Sequence, residues 1–190
     1  FSYLFYADAI TCLLAAGCIQ VFFSKARRNK LLQSEPEGKA TSSGSVWRDR
    51  TYLLFLLFLL PFGIIFLQFE ATLPLYLSEF YLMKKSEIGL LYLINTGIII
   101  LFEMFLVHRL RNKPEYYSIA LGGLFLTLGF GMMPLGLSFG VPSGLSYGFV
   151  FFATAVWTFG EILQLPMAGT YAANRAGDAN RGSYMGLFSS

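Results

Sequence analysis

Four carboxylate side chains interrupt long apolar stretches of this chain, and they are the groups most able to do chemistry there. They are Asp8, Glu70, Glu103 and Glu161. A carboxylate at the centre of a bilayer costs about 2.5–3.5 kcal/mol on insertion scales, so residues of this kind are usually paired or functional. A buried carboxylate disfavours its ionised form and can bind a proton near neutral pH, which makes proton coupling the chemistry to test.

Glu161 is the most central of the four, because fourteen residues, or roughly 21 Å along a helix, separate it from Arg175. Pro166 removes a backbone hydrogen bond nearby and loosens the helix. The helix face that carries Glu161 is polar, and it predicts a functional site centred on Glu161. The alternative is a polar contact between helices in which Glu161 is protonated or hydrogen-bonded. Residues at helical spacing share a face with Glu161: Thr154, Trp157, Thr158, Gln164 and Ala168.

Glu70 and Asp8 leave two interpretations open. Glu70 lies in the outer part of its apolar run, where Pro74 frees the Glu70 carbonyl. Gln68 points about 200° away from Glu70, so a regular helix cannot place both in one cavity. Asp8 lies toward the external end of the first run. Each carboxylate either takes part in proton coupling or substrate binding or is structural, which for Asp8 means simply hydrated.

Glu103 is close to one end of its run, only six residues or roughly 9 Å from Arg109. We expect Glu103 to reach the membrane boundary and to pair with Arg109 or His108. This interpretation makes Glu103 and Arg109 gating or structural residues, together with the helix-breaking Pro74 and Pro166.

Long apolar runs must position all these groups. A run of about 20 residues crosses a hydrocarbon core of roughly 30 Å as a helix, and inside lipid the backbone must bond within its own segment. Residues 24–50 are polar and lack apolar periodicity at their centre, which predicts a flexible linker. The runs occupy residues 1–23, 51–78, 88–107, 116–137 and 147–173, and a further one begins near position 183.

The basic residues fall almost entirely on one side of these runs. All but Lys84 and Lys85 of the fourteen lie in the joints 24–50, 108–115 and 174–182. Cytoplasmic loops of membrane proteins carry such an excess, so these three joints are predicted to be cytoplasmic. The remaining joints, 79–87 and 138–146, are predicted to be external.

Composition excludes several classes of protein. Hydrophobic residues make up 55% and charged residues 13%, against about 25% charged in soluble domains. The sequence has no dense basic helix of the kind that binds nucleic acid. His108 is the single histidine, so we expect no metal site, no cofactor and no serine hydrolase behind the G-x-S-x-G sequence at 144–148, which needs a nearby histidine. The chain begins and ends inside apolar runs, and we therefore expect a fragment of a longer protein.

Three stretches resemble the second half of a major facilitator superfamily transporter, most closely the bacterial proton-coupled drug-efflux type. The first is LFYADAI at 4–10 with the basic linker after it. The second is LPLYL at 73–77 with SEIGLL at 86–91 and Asn95. The third is FGEIL at 159–163 with Pro166 and RGSYMG at 181–186. The chain departs from the family at 107–111, where His108 replaces an acidic residue expected before Arg109.

The resemblance implies an all-α, polytopic membrane protein that is the incomplete C-terminal half of a twelve-helix major facilitator fold, from helix six to the start of helix eleven. Residues 1–23 would be the last helix of the N-terminal bundle, and 51–190 would belong to the C-terminal bundle. Alternating access by rocking of the two bundles follows. The chain would then depend on a missing N-terminal bundle, on final helices of the same protein and on the lipid bilayer, in the bacterial inner (plasma) membrane.

The same resemblance implies a function: secondary active transport, as an antiporter that couples protons to efflux of small amphipathic compounds. Glu161 would carry the proton, while Trp157, Thr158 and Gln164 would face the small-molecule substrate. Proton-driven uptake of peptides or sugars remains an alternative, as does a non-transporting membrane receptor or scaffold.

Overall fold

The computed structural model describes residues 2–32, 46–110, 113–139 and 144–189. Every regular element in this part of the chain is helical. Short 3₁₀ helices cover Val46–Arg48 and Met133–Phe139. The α-helices are α1, Ser2–Leu32; α2, Arg50–Phe80; α3, Lys85–Leu110; α4, Glu115–Met132; and α5, Gly144–Ser189.

Five segments of these helices are long and apolar enough to cross a membrane. This confirms the prediction of an all-α, polytopic membrane bundle. The spans lie within the predicted runs or extend them by a few residues: Phe5–Phe22, Arg50–Phe80, Lys85–Leu110, Glu115–Leu137 and Gly144–Ala176.

The first helix is longer than predicted, since α1 continues to Leu32 rather than ending at residue 23. The apolar run stops at residue 23, but the lysines, arginines, alanine and leucines that follow favour a helix and include no glycine or proline. The predicted linker 24–50 therefore begins within α1. Its centre, residues 33–45, lies outside the described residues.

The fourth helix is shorter than predicted, because Pro134 changes its last turn. Pro134 has no N–H to offer the carbonyl of Phe130. The N–H of Met133 donates to that carbonyl instead. This i-to-i+3 bond tightens the chain into the 3₁₀ helix Met133–Phe139, which begins inside the predicted run 116–137 and ends two residues beyond it.

The last helix reverses its direction. A Cβ placed on Gly169 would lie 3.9 Å from a ring carbon of Phe188, whereas nineteen residues of straight helix would separate them by about 28 Å. Tyr184 likewise returns to Asp49, which also binds Arg175. The chain thus bends back somewhere between Gly169 and Phe188. Since α5 continues from Gly144 to Ser189, the predicted joint 174–182 lies inside this helix.

Helix α4 lies between α1 and α5, and glycines bring the backbones close on both sides. A Cβ on Gly131 would lie 3.3 Å from the Cβ of Ala9 on α1, and one on Gly122 would lie 2.7 Å from the carbonyl oxygen of Gly160 on α5. Helix α3 packs against α5 along a narrow stripe. The assignment of residues 1–23 to a separate N-terminal bundle stays a prediction, although α1 here packs directly on α4.

Candidate functional site

Glu161 lies at the crossing of α5 and α3, where it meets an amide of the neighbouring helix. Asn95 Nδ2 donates to Glu161 Oε2 at 3.2 Å and to Thr158 Oγ1 at 2.9 Å. Thr158 in turn donates its hydroxyl hydrogen to the carbonyl of Thr154 at 2.7 Å. Glu161 is half-buried, whereas Asn95 and Thr158 are buried. Thr158 therefore holds the amide of Asn95 in place beside the Glu161 carboxyl group.

The predicted stripe on α5 divides between two neighbouring helices. Thr158 and Glu161 face Asn95 on α3, whereas Trp157 and Gln164 pack against α4. Trp157 and Gln164 are each 1% exposed. The indole Nε1 of Trp157 and the amide Oε1 of Gln164 are buried without a hydrogen-bond partner among the described residues. Two polar groups thus lie beside the Glu161 cluster without a hydrogen-bond partner among the described residues, and both are shielded from solvent in this conformation.

Aromatic rings surround the indole of Trp157. Its centroid lies 4.2 Å from that of Phe69, 5.8 Å from Phe66 and 5.2 Å from Phe130, the last ring meeting it edge-on. Tyr92 donates its hydroxyl hydrogen to the carbonyl of Phe69 at 2.8 Å. The rings fix the indole from α2 and α4, and they form an apolar wall beside the polar cluster.

An apolar groove of about 680 Å³ lies between α2 and two segments of α5, one around Gln164 and the other around Phe188. Gln164 lies on its wall, and the rest of the lining is almost entirely leucine, isoleucine and phenylalanine with the indole of Trp47. The groove is large enough for a small amphipathic molecule.

Asp8 is buried at the crossing of α1 and α2, with 9% of its surface exposed. Its carboxylate accepts a hydrogen bond from the side chain of Gln68. Asp8 Oδ2 and Gln68 Oε1 are buried without a hydrogen-bond partner in the described part of the chain. The interpretation of Asp8 as simply hydrated is therefore wrong, because packing of α1 on its neighbours removes it from solvent.

Glu70 does not join this pair. It is exposed on α2, as the 200° separation from Gln68 requires. Pro74 and Pro166 lie within helices that continue through them, so neither ends its element. The structure thus brings Asp8 together with Gln68 and leaves Glu70 outside both polar clusters.

The predicted pairing of Glu103 with Arg109 or His108 is not formed. The ion pair in the described residues joins Arg175 to Asp49 instead. Six residues turn a helix by about 600°, so Glu103 and Arg109 leave α3 on different faces. Glu103 instead lies near enough to Glu161 for their charges to interact.

A third polar cluster, which the sequence analysis missed, lies at the predicted cytoplasmic end. Arg175 donates to both carboxylate oxygens of Asp49, at 2.8 and 2.9 Å, and the Tyr184 hydroxyl donates at 3.1 Å. Asp49 also caps α2 by accepting the N–H of Tyr52. The signal was an aspartate directly before a long apolar run, which is typical of a helix N-cap.

Opposing effects set the pKa of Asp49. Burial would raise that pKa, but the hydrogen bonds and charge of Arg175, the N–H of Tyr52 and the hydroxyl of Tyr184 together hold it below the ordinary value. Burial and the nearby Asp49 charge raise the pKa of Tyr184, so its hydroxyl stays protonated and donates. The cluster therefore joins the start of α2 to the C-terminal part of α5 through a charged hydrogen-bonded contact.

Asn95 is another residue of the candidate site to which the sequence analysis gave no role. The sequence feature that could have identified Asn95 was a carboxamide inside an apolar run. Lipid disfavours such a group unless a neighbouring helix supplies a partner. Among the described residues, no three His, Cys, Asp or Glu side chains come together as metal ligands would. Within the described spans, Glu161 and Asp8 each have an amide partner, Asn95 and Gln68 respectively.

Comparison with known proteins agrees with this architecture. The family model of the Major Facilitator Superfamily matches residues 1–190. A Na(+), Li(+), K(+)/H(+) antiporter of Planococcus maritimus is 22% identical over 202 residues, covering 93% of this chain and 46% of the relative. The chain thus spans about half the length of the curated relative it matches. No solved structure matches the chain.

Proposed function

Because the chain belongs to the major facilitator superfamily, we propose that it forms the C-terminal part of a secondary active transporter that exchanges protons for its substrate. Alternating access would move the substrate from one side to the other by rocking of two bundles. The protein is an integral membrane protein, and we place it in the bacterial inner membrane with 24–50, 108–115 and 174–182 cytoplasmic.

Glu161 carries the coupling proton in this proposal. The supporting observation is its contact with Asn95, which joins α5 to α3 through a hydrogen bond that an ionised carboxylate strengthens. Protonation of Glu161 weakens that bond, and Asn95 stays anchored by Thr158. A proton would thus loosen α3 from α5 without leaving the amide unpartnered, which suits a step of a conformational cycle.

Export of small amphipathic compounds is the function that this site supports best. The apolar groove offers a surface for the apolar part of a substrate, and the amide of Gln164, which is 1% exposed in this conformation, would serve the polar part once the helices around it open. Trp157 and Thr158 lie on the same segment of α5, and the aromatic wall around the indole suits a flat or cationic molecule.

A second candidate is the exchange of monovalent metal cations for protons. The relative from Planococcus maritimus is named as such an antiporter. The buried Asp8 with its amide partner is consistent with that class of substrate.

Everted membrane vesicles containing the full-length protein distinguish the two candidates. Respiration acidifies the vesicles, and a pH-sensitive dye reports proton release when ethidium or, separately, sodium, lithium or potassium chloride is added. Recovery of the dye signal with ethidium supports amphipathic export, and recovery with the salts supports cation exchange. A vesicle that responds to neither substrate would contradict the proposed proton exchange.

Glu161→Gln tests the role of the carboxylate, because it keeps the shape of the side chain and removes its proton. We expect this variant to insert normally and to lose proton-coupled exchange. Glu79→Gln removes an exposed carboxylate at the outer end of α2 and should behave as the wild type. Coupling in Glu161→Gln equal to that in the control would overturn the assignment.

A further inference from the structure

We propose that Asp8 and Gln68 bind a monovalent alkali-metal cation, at a site separate from the Glu161 cluster. This inference deepens the second candidate function and rests on it for its physiological role. Its structural basis is independent, since it comes from the crossing of α1 and α2.

The first argument is charge. Asp8 is buried within the predicted span of α1, where an isolated carboxylate is costly. No Lys, Arg or His among the described residues contributes to its surroundings, and the ion pair they contain joins Arg175 to Asp49. Cys12, one turn along α1, is the titratable group that interacts with Asp8. An ionised Asp8 therefore needs a cation that the described residues do not supply.

Two oxygen atoms at this crossing lack a donor among the described residues. Gln68 already donates its amide hydrogen to Asp8. Asp8 Oδ2 and Gln68 Oε1 then remain, both buried and both without a hydrogen-bond donor in the described part of the chain. Buried acceptors are rarely left unsatisfied, so these two point to a missing positive partner.

The chemistry of these oxygen atoms selects the class of cation. Carboxylate and amide oxygens are hard ligands, which suit ions that bind through oxygen and do not suit soft transition metals. Asp8 supplies one negative charge, and among the described residues no second carboxylate acts on it. One charge balances a monovalent cation. Divalent calcium usually takes several carboxylate and carbonyl oxygens, more than this crossing offers.

The site is distinct from the proposed proton site. Asp8 belongs to the contact of α1 with α2, whereas Glu161 is held by Asn95 at the contact of α5 with α3. A cation at Asp8 and a proton at Glu161 can therefore occupy the protein separately, and conformational change would have to couple them.

Binding of radioactive sodium to the purified full-length protein tests this directly. The total ionic strength is kept constant with N-methylglucamine chloride, and lithium and potassium serve as competitors. We expect saturable sodium binding that Asp8→Asn abolishes. Gln68→Leu should weaken binding by about tenfold or more, since even outer-shell partners of a metal ion contribute roughly 10–100-fold in affinity.

Glu79→Gln is the matched control, because it also removes one carboxylate but from an exposed position on α2. It should bind sodium as the wild type does. The thermal unfolding midpoint without sodium shows whether each variant is folded. In the wild type and in Glu79→Gln, sodium should raise that midpoint, because a ligand that binds only the native state stabilises it. In Asp8→Asn it should not.

The opposite results are equally definite. Absence of sodium, lithium and potassium binding in the folded wild type, with a midpoint that responds to pH alone, would mean that Asp8 takes only a proton and would overturn the cation site. Glu161→Gln separates this failure from failure of the proposed transport. That variant should keep sodium binding while losing proton exchange, so the two assays fail independently.

Discussion

Replacing Gly160 with alanine should destabilise the protein by forcing α4 and α5 apart. A Cβ on Gly160 would lie 2.6 Å from the backbone nitrogen of Leu126 and 2.7 Å from the carbonyl oxygen of Gly122. Both atoms belong to the backbone of α4, so no side chain can rotate away. Since ordinary Cβ contacts begin near 3.4 Å, the helices must separate by about 0.7–0.8 Å, and overpacking of this kind typically costs about 1–3 kcal/mol.

Unfolding of the purified protein in detergent measures this cost. A loss of 1–3 kcal/mol corresponds to a roughly 5–150-fold rise in the ratio of unfolded to folded protein. Gly148→Ala on the same helix is the control, because a Cβ there meets nothing within 4 Å. Equal stability of Gly160→Ala and Gly148→Ala would refute the close crossing of α4 and α5.

Three further changes test other contacts. Asp49→Asn should lower the free energy of unfolding by about 1.5–3 kcal/mol near pH 7. Since the pKa of Asp49 is lowered in the folded protein, the difference in stability from wild type should shrink as the pH falls below 3.8. A pH-independent difference would contradict the ion pair with Arg175. Tyr81→Phe leaves the buried carbonyl of Met133 without its donor and should cost about 1–3 kcal/mol in the same unfolding assay; wild-type stability would contradict it. Asn95→Leu should reduce proton-coupled exchange in vesicles by roughly tenfold or more, since hydrogen bonds to charged groups contribute about 1.5–3 kcal/mol; unchanged exchange would exclude this amide from the coupling step.

Apolar length and the placement of basic residues were enough to predict the helices. They located five spans, because lipid imposes one element length and one backbone geometry. The predicted joint 174–182 lies inside α5, which continues to Ser189. The ends of α1 and α4 were missed. Helix propensity carried α1 beyond its apolar run, and Pro134 stopped α4 inside one.

The partners of the polar groups could not be predicted from one helix at a time. Helical spacing placed Trp157 and Glu161 on one stripe, but tight contacts at glycines of α4 draw Trp157 to one neighbour while Asn95 draws Glu161 to another. The pairing of Asp8 with a side chain of α2 joins residues sixty apart in sequence. Spacing within a helix fixes its faces, and only tertiary packing decides what each face meets.

Accessibility of two buried positions tests alternating access most directly. Thr158 and Gln164 are 0% and 1% exposed in this conformation, so a transporter must open around them during its cycle. Thr158→Cys and Gln164→Cys would each be made after Cys12 and Cys18 are replaced by serine, and a membrane-impermeant thiol reagent would be applied from either side. Our account predicts labelling from both sides, with substrate or pH shifting the balance between them. No labelling from either side would identify a packed scaffold and contradict transport by this chain.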